Sequence, residues 1–440
     1  MRFLLLFFLS VFYLLRVVKH LLPILNGFLA KHLCSAIFVS QRNIAEIRQH
    51  ELRVKLFRLP GFRIDSRRQS VRVSLWGIGM REAFYHAERG CSLCQEPPSG
   101  TTRFNPVQHR KRPTSALSNS SDKLSPTLQS SLASWMETRP AQTLAVYALY
   151  RGKTIAEMYA PGIGRDTPLP GWSMAKSVMN ALVGILVRQG RLSLHAPLPE
   201  HIWQGTRDGR IAITMHHLLQ MSSGLPWSER YWWSSDVTRM LFTSDDASHG
   251  ITAKPYRIPP GTRWEYASGT TNVIGKALRY LLGEEYLHFP YLNLFAPLGM
   301  QTALLETDTC GNFVGSSYML ASARDWARFG QLYLQDGLWE GQRILPKEWV
   351  DYTTTPAAPA PQQEYGAHFW LNRGILGQPA SRKMPDVPAE VFYASGFGGQ
   401  RVFIIPSREL VIVRLGAAHF KEPDFNALMP QLLTDLSLKV

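Results

Sequence analysis

Cysteine is scarce: four thiols in 440 residues cannot staple a disulfide-built scaffold, and Cys91-Ser92-Leu93-Cys94 lacks the second pair that a zinc site would need. Glycine and proline, 33 and 29 residues, follow no collagen-like period. With 18 % charged against 45 % hydrophobic residues, the chain is too apolar for intrinsic disorder and has enough apolar side chains for a sizeable core. Acidic residues are few at the front, where residues 1–140 hold 8 Asp or Glu against 21 Lys or Arg. The remaining 300 residues hold 25 against 27. That near-neutral stretch offers no basic track for a phosphate backbone, which excludes DNA and RNA as partners. A basic front third behind an apolar terminus suits an anionic membrane surface instead.

Long apolar runs are also lacking. The longest, Phe3 to Leu15, sits behind Arg2 and is closed by Arg16 and Lys19, as in the charged and apolar regions of a secretory signal. It is shorter than the ~20 residues of a full span. Gly27, Ala30 and Cys34-Ser35-Ala36 give no clean small-x-small cleavage pair, so residues 1–30 read as a signal peptide or an uncleaved signal-anchor, with a surface or core helix as the alternative. The expectation is export, to the periplasm or to the periplasmic face of the inner membrane. In an oxidising compartment Cys34 would pair with Cys91 or Cys94.

Residues 31–95 form a small basic region. Its alternating stretches, Ser70 to Trp76 and Arg81 to His86 across Gly77-Ile78-Gly79, predict a β-hairpin. Residues 96–125 lose all periodicity and read as a linker. The segment 126–440 follows as the main domain. Ser125-Pro126 opens a helix to about Glu137, and two strands, Thr143 to Tyr150 and Thr154 to Tyr159, flank the Arg151-Gly152 turn. Strand patterns return at Arg401 to Ile405 and Leu410 to Leu415, before a last helix from Asp424 to Leu438. Strands at both ends of the domain and a helical, loop-rich middle predict an α+β architecture: one antiparallel sheet built from the two ends, flanked by helices, with a helical insertion lobe.

Three motifs carry chemistry. Ser173-Met174-Ala175-Lys176 opens a helix to about Gln189, with Gly190 as its stop. Three positions apart on a helix, the serine hydroxyl and the lysine ammonium share one face. The helix is apolar nearly all round, so burial and the helix dipole disfavour a charged ammonium, and Lys176 becomes a base for a nucleophilic Ser173. Alone, the motif is equally an N-cap serine on a buried helix; Ser120-Ser121-Asp122-Lys123 repeats the spacing inside the linker by chance. The second motif, Tyr266-Ala267-Ser268 after Pro260-Gly261, presents a phenol before the helical pattern Val273 to Leu282. There Tyr266 is held as phenolate beside the lysine or relays a proton, and Ser268 hydrogen-bonds either partner. The bland alternative is packing and an N-cap. In the third, Tyr393-Ala394-Ser395-Gly396-Phe397-Gly398-Gly399, glycines admit a close backbone approach, and the N–H of Phe397 pairs with that of Ser173 as an oxyanion hole. A plain glycine-rich hairpin entry is the alternative. His216-His217 is no metal site, since neighbours on a helix diverge by about 100° and no third ligand is evident.

In this order the motifs resemble those of the serine β-lactamase and penicillin-binding-protein superfamily, in the branch that contains class C β-lactamases, esterases and 6-aminohexanoate-dimer hydrolases. The likeness covers roughly residues 128 to 438 and includes His217-Leu218-Leu219-Gln220-Met221-Ser222-Ser223-Gly224-Leu225 and Gly337-Leu338-Trp339 before Ile344-Leu345-Pro346. The resemblance implies a β-lactamase/DD-peptidase-like fold and acyl transfer without metal or cofactor. Ser173 would attack a carbonyl, Lys176 and Tyr266 would share its proton, and the backbone of Ser173 and Phe397, beside Gly396 and Ser395, would hold the oxyanion. Tyr231 matches a residue that covers substrate in the dimer-hydrolase relatives. Two departures stand out. The family's Tyr-x-Asn reads Tyr266-Ala267-Ser268, and its Lys/His-Thr/x-Gly reads Ala394-Ser395-Gly396. The cation that engages a substrate carboxylate is thus missing, which argues against β-lactam hydrolysis and D-Ala-D-Ala peptidase activity and towards an esterase or amidase. Tyr231, Trp232, Trp233, His368 and Trp370 are the candidates for an aromatic pocket around a small ester or amide. A β-lactam-recognising peptidase and a non-catalytic envelope protein of the same fold are the competing classes.

Overall fold

The computed structural model describes residues 2–94, 126–137, 142–206, 208–231, 234–417 and 422–437. The linker expected over 96–125, and Ser125 with it, lies outside them.

A six-stranded antiparallel sheet forms the centre, in the order Trp370–Leu371, Phe392–Gly396, Gln400–Ile405, Leu410–Gly416, Thr143–Tyr150, Lys153–Tyr159. The first strand of the main domain pairs directly with the last, Tyr147 standing opposite Val413, so the sheet is built from both chain ends as expected. Side chains alternate between two cores. Leu144, Tyr147, Leu149, Val411 and Val413 face the helix Ala175–Arg188 and the helix Ala323–Leu334. Val146, Ala148, Phe403, Ile405 and Ile412 face the helices Pro126–Met136 and Phe425–Ser437 through Leu132, Trp135 and Met429. With helices on both faces, these strands read as continuous apolar runs rather than as alternations. The limits of the expected strands and helices of the main domain fall within two residues of the observed ones with two exceptions: Ser173 lies in a 3₁₀ turn, Trp172–Met174, which leads into the α-helix, and the helix expected from Val273 begins five residues earlier, at Ser268. A small three-stranded sheet joins Leu169–Pro170, Met319–Ala321 and Leu304–Leu305 and delivers the chain to that turn.

The N-terminal part is built differently from its expected division at residue 30. One helix, α1 (Arg2–Cys34), runs through that boundary. Leu29, Ala30 and Leu33 pack with Val71, Val73 and Ala83 of a four-stranded antiparallel sheet, β1 (Gly61–Asp65), β2 (Ser70–Leu75), β3 (Ile78–His86) and β4 (Gly90–Leu93). The expected hairpin is β2–β3; β1 and β4 extend it on either side. Helix α1 also crosses the helix Asp236–Thr243 of the main domain so closely that a Cβ on Gly27 would lie 2.1 Å from the Phe242 carbonyl oxygen. Only a glycine permits that crossing.

Polar contacts weld this module to the main domain. The carboxylate of Glu306 accepts from Lys31 Nζ at 2.6 Å, Ser35 Oγ at 3.0 Å and the Cys91 N–H at 2.7 Å. Ser40 Oγ donates to the Pro168 carbonyl at 2.6 Å; within the module itself, Arg42 forms a buried ion pair with Glu51. All four cysteines are free thiols. Cys34 and Cys91 are buried neighbours within hydrogen-bonding reach, and burial pushes the Cys91 thiol well up.

Candidate active site

The serine turn is set by backbone packing. Trp172 sits at φ +50°, a left-handed conformation uncommon for a non-glycine residue. Opposite it, the strand Phe392–Gly396 ends against the same turn, where a Cβ on Gly396 would lie 2.1 Å from the Gly171 carbonyl oxygen. Backbone therefore meets backbone between Gly171 and Gly396, as the glycine-rich third motif predicts. The turn after Gly396 is braced from behind. The buried Arg414 guanidinium donates to the carbonyls of Gly398 at 2.7 Å and Gly399 at 3.0 Å, and Gln400 Nε2 donates to the Phe397 carbonyl at 3.1 Å.

Lys176 is 1 % exposed and its Nζ donates to three oxygens: Ser173 Oγ at 3.0 Å, Ser268 Oγ at 3.0 Å and the Ser316 carbonyl at 2.9 Å. Burial pulls its pKa down to about 8, against the opposing charge of Glu229. The Tyr266 ring lies 4.9 Å below the same nitrogen, and its hydroxyl hydrogen-bonds Ser173. Burial, with Glu229 nearby, drives the Tyr266 hydroxyl above its ordinary pKa, more than its hydrogen bond to Ser173 and the Arg401 charge lower it. The phenolate expected as one option is therefore disfavoured: Tyr266 rests as a phenol that can pass a proton on.

Glu229, which carries no motif, organises this cluster. Its Oε1 accepts from Ser268 Oγ at 2.5 Å, its Oε2 accepts from the Ser268 N–H at 3.0 Å and from Trp227 Nε1 at 2.6 Å, and Tyr231 donates to Oε1 at 3.5 Å. Ser268 is the first residue of the helix Ser268–Leu282, with Ala267 rather than the serine at the cap. The carboxylate thus satisfies an open N–H at a helix N-terminus. Because Ser268 gives its proton to Glu229, its oxygen is left to accept from Lys176. Glu229 also raises the Lys176 pKa, so Glu229→Gln should lower it further. The acid limb of a pH–kcat/KM profile is then expected to move to lower pH by up to about one unit. A limb that stays in place would show that the Glu229 charge does not reach Lys176.

Aromatic rings wall the serine on two sides. Phe397 packs on Trp172 at 5.2 Å and Tyr231 at 5.1 Å between centroids. Across the site Trp370 and Tyr365 pack on Tyr266 at 5.4 and 5.9 Å. Trp232 and Trp233 lie outside the described residues. His368 is not a wall residue. It is buried, its Nδ1 meets the Lys176 carbonyl at 3.0 Å and its Nε2 meets Thr271 Oγ1 at 3.2 Å. Burial holds its pKa down to about 3, so a neutral ring braces the serine helix. Ser395, half-buried, stands opposite Arg401, and Ala394 is fully buried opposite Val402. Arg401 does not replace the missing cation, since it is engaged by Glu422 at 2.5 Å and by the Gln400 and Gly396 carbonyls. His217 serves the capping box of Thr214, and no cluster able to hold a metal occurs among the described residues.

Comparison with known proteins places this arrangement. The family model described as Beta-lactamase matches residues 132–431. The chain is 22 % identical over 325 residues to 6-aminohexanoate-dimer hydrolase of Paenarthrobacter ureafaciens, covering 67 % of this chain and 78 % of that one. Among solved structures it is similar to EstCE1, a hydrolase with promiscuous acyltransferase activity, at a TM-score of 0.56 and 14 % identity over 70 % of this chain and 98 % of that one. It is likewise similar to a penicillin-binding-protein homologue from Caulobacter crescentus, at 0.53 and 16 %, over 72 % and 98 %. The α+β fold expected from the sequence is thus the one these structures share. The chain belongs to the Beta-lactamase family and is a serine hydrolase of that fold, similar to 6-aminohexanoate-dimer hydrolase.

Proposed function

We propose that this protein is an exported serine hydrolase that cleaves an ester or amide bond through an acyl-serine intermediate. The observation that carries this reading is the buried Lys176 ammonium, 3.0 Å from Ser173 Oγ, with its pKa drawn to about 8. Near neutral pH an appreciable fraction is the free amine and can take the Ser173 proton as the hydroxyl attacks a carbonyl carbon. The backbone N–H groups of Ser173 and Phe397 hold the oxyanion. Tyr266, kept as a phenol, passes a proton to the leaving alcohol or amine. The same pair then draws a proton from the water that releases the acid and restores Ser173.

The pocket chemistry narrows the substrate. Ala394 offers no charge to a substrate carboxylate, Arg401 is committed to Glu422, and both walls are aromatic. An uncharged ester or linear amide flanked by apolar groups fits better than a β-lactam or a peptide with a free C-terminal carboxylate. The names of the dimer hydrolase and of EstCE1 support cleavage of an amide or acyl bond, without bearing on the charge of the substrate. Export rests on the apolar run Phe3 to Leu15 behind Arg2.

Treating the purified full chain with a fluorophosphonate probe tests the reading. Intact mass and peptide mapping should find one adduct, on Ser173, that is absent from Ser173→Ala. A folded protein that takes no label, or takes it elsewhere, would refute an activated Ser173 and favour a binding role.

A further inference from the structure

Half of the exposed large apolar side chains among the described residues fall between positions 56 and 80. Leu59, Trp76, Ile78 and Met80 are 61, 88, 53 and 57 % exposed, and the strand register gathers them at one end of the N-terminal sheet. Leu75 faces Ile78 across the β2–β3 turn. Gly61, two residues after Leu59, faces Ser74 at the same end. Single exposed leucines need no explanation, but a nearly bare tryptophan at the tip of an apolar hairpin does.

The tip has a fixed place beside α1. Asn26, fully buried, donates from Nδ2 to the Gly79 carbonyl at 2.7 Å, and a Cβ on Gly79 would meet Leu22 at 3.0 Å. Leu22 lies about one helical turn beyond Lys19. Arg16, Lys19 and His20 are exposed, and the apolar run Phe3 to Leu15 precedes them. That run spans ~20 Å as helix against a hydrocarbon core of ~30 Å. If it enters a bilayer, positions 16–22 therefore lie in the headgroup layer, where basic side chains snorkel and tryptophan is favoured. The charge agrees: no Asp or Glu occurs between Leu52 and Ile64 or between Ser66 and Met80, while Arg53, Lys55 and Arg58 are exposed.

We propose that the sheet end formed by Leu59, Trp76, Ile78 and Met80 is a docking face seated in the headgroup layer of an anionic phospholipid bilayer, beside the point where α1 enters it. The main domain then rests against the membrane in one orientation and does not swing on a tether. Helix α1 carries that orientation to the site, since Phe28, further along it, stacks on Trp172 at 6.3 Å.

The test uses the full chain in phosphatidylcholine vesicles with and without phosphatidylglycerol. Cys94→Ser and Cys310→Ser leave the two buried thiols, and a nitrobenzoxadiazole label is placed on Ile78→Cys or, as a control, on Leu376→Cys, a loop position 95 % exposed. Thermal melting by circular dichroism confirms that both variants are folded. In the anionic vesicles the label at 78 should be bleached by dithionite at least about fivefold more slowly than at 376, with less protection in pure phosphatidylcholine or high salt. Equal bleaching would overturn docking and leave a flexible tether. Protection that disappears on dilution to one copy per vesicle would overturn it in favour of a second copy covering the face. Neither readout depends on turnover, so the outcome is separate from that of the acyl-transfer reading.

Discussion

Lys176→Ala lowers kcat/KM for a p-nitrophenyl ester by about 10³-fold, and Lys176→Arg does no better. The two variants separate basicity from charge. An arginine keeps a cation beside Ser173 but cannot give up its proton at any working pH, whereas the role assigned to Lys176 needs the free amine. The wild-type profile carries the same signature. Burial is the first cause of the depression to about 8, so the neutral base is scarce at pH 6, and activity should climb with pH and level off above about 8. A lysine that only held an anion in place would give the opposite slope, losing its effect as it deprotonates. Arginine rescue, or activity that falls between pH 7 and 9 in a stable protein, would therefore rule out Lys176 as the base. His368 does not confuse the profile, since its pKa of about 3 keeps it neutral throughout.

What could be read from the sequence follows from which interactions are local. Ser173 and Lys176 are three residues apart on an apolar helix, so period and spacing placed them together. The sheet strands are long and apolar on both faces, and they stood out for that reason. Glu229 could not be found this way. It lies 39 residues before Ser268, in a loop without periodicity, and it touches the site only because the chain between folds back. One clue was available: Ser268 in the family's asparagine position is a hydroxyl that must give its proton to some acceptor. The two-residue strands at Leu169, Leu304 and Trp370 are too short for any alternation to register. His368 was misplaced because hydropathy says that a ring is near the core but not which atoms its nitrogens meet. Helix α1 exposes the sharpest limit. A run of apolar residues looks the same whether lipid or protein covers it, and only contacts such as Gly27 against Phe242 show that the second half of this helix is covered by protein.

Glu306→Ala is expected to destabilise the protein by about 3–5 kcal/mol, the cost of breaking a buried ion pair by removing one partner, seen as a fall in Tm of the order of 5–10 °C. Side-chain exposure is 6 % for Lys31 and 1 % for Glu306, so the ammonium left behind has little water to turn to, and the Ser35 hydroxyl and the Cys91 N–H lose the same acceptor. Lys31→Met should cost less in the double variant with Glu306→Leu than either single change predicts, because an apolar pair leaves no orphaned charge. The loss should reach the active site as well. Glu306 directly follows the strand Leu304–Leu305, which pairs with Met319–Ala321, which in turn pairs with Leu169–Pro170 just before the serine turn. Lys31 also sits 4.2 Å over the Tyr318 ring, two residues from the Ser316 carbonyl that holds Lys176. Thermal melting and kcat/KM of Glu306→Ala on the full chain therefore decide between two fates of the N-terminal helix. If a signal peptidase removed the chain through Lys31, Glu306 would have no buried ammonium to strand, only neutral donors such as the Cys91 N–H to lose, and the variant would melt much closer to its parent. A large drop in both quantities means that the helix that begins as an apolar leader ends as part of the catalytic domain's core.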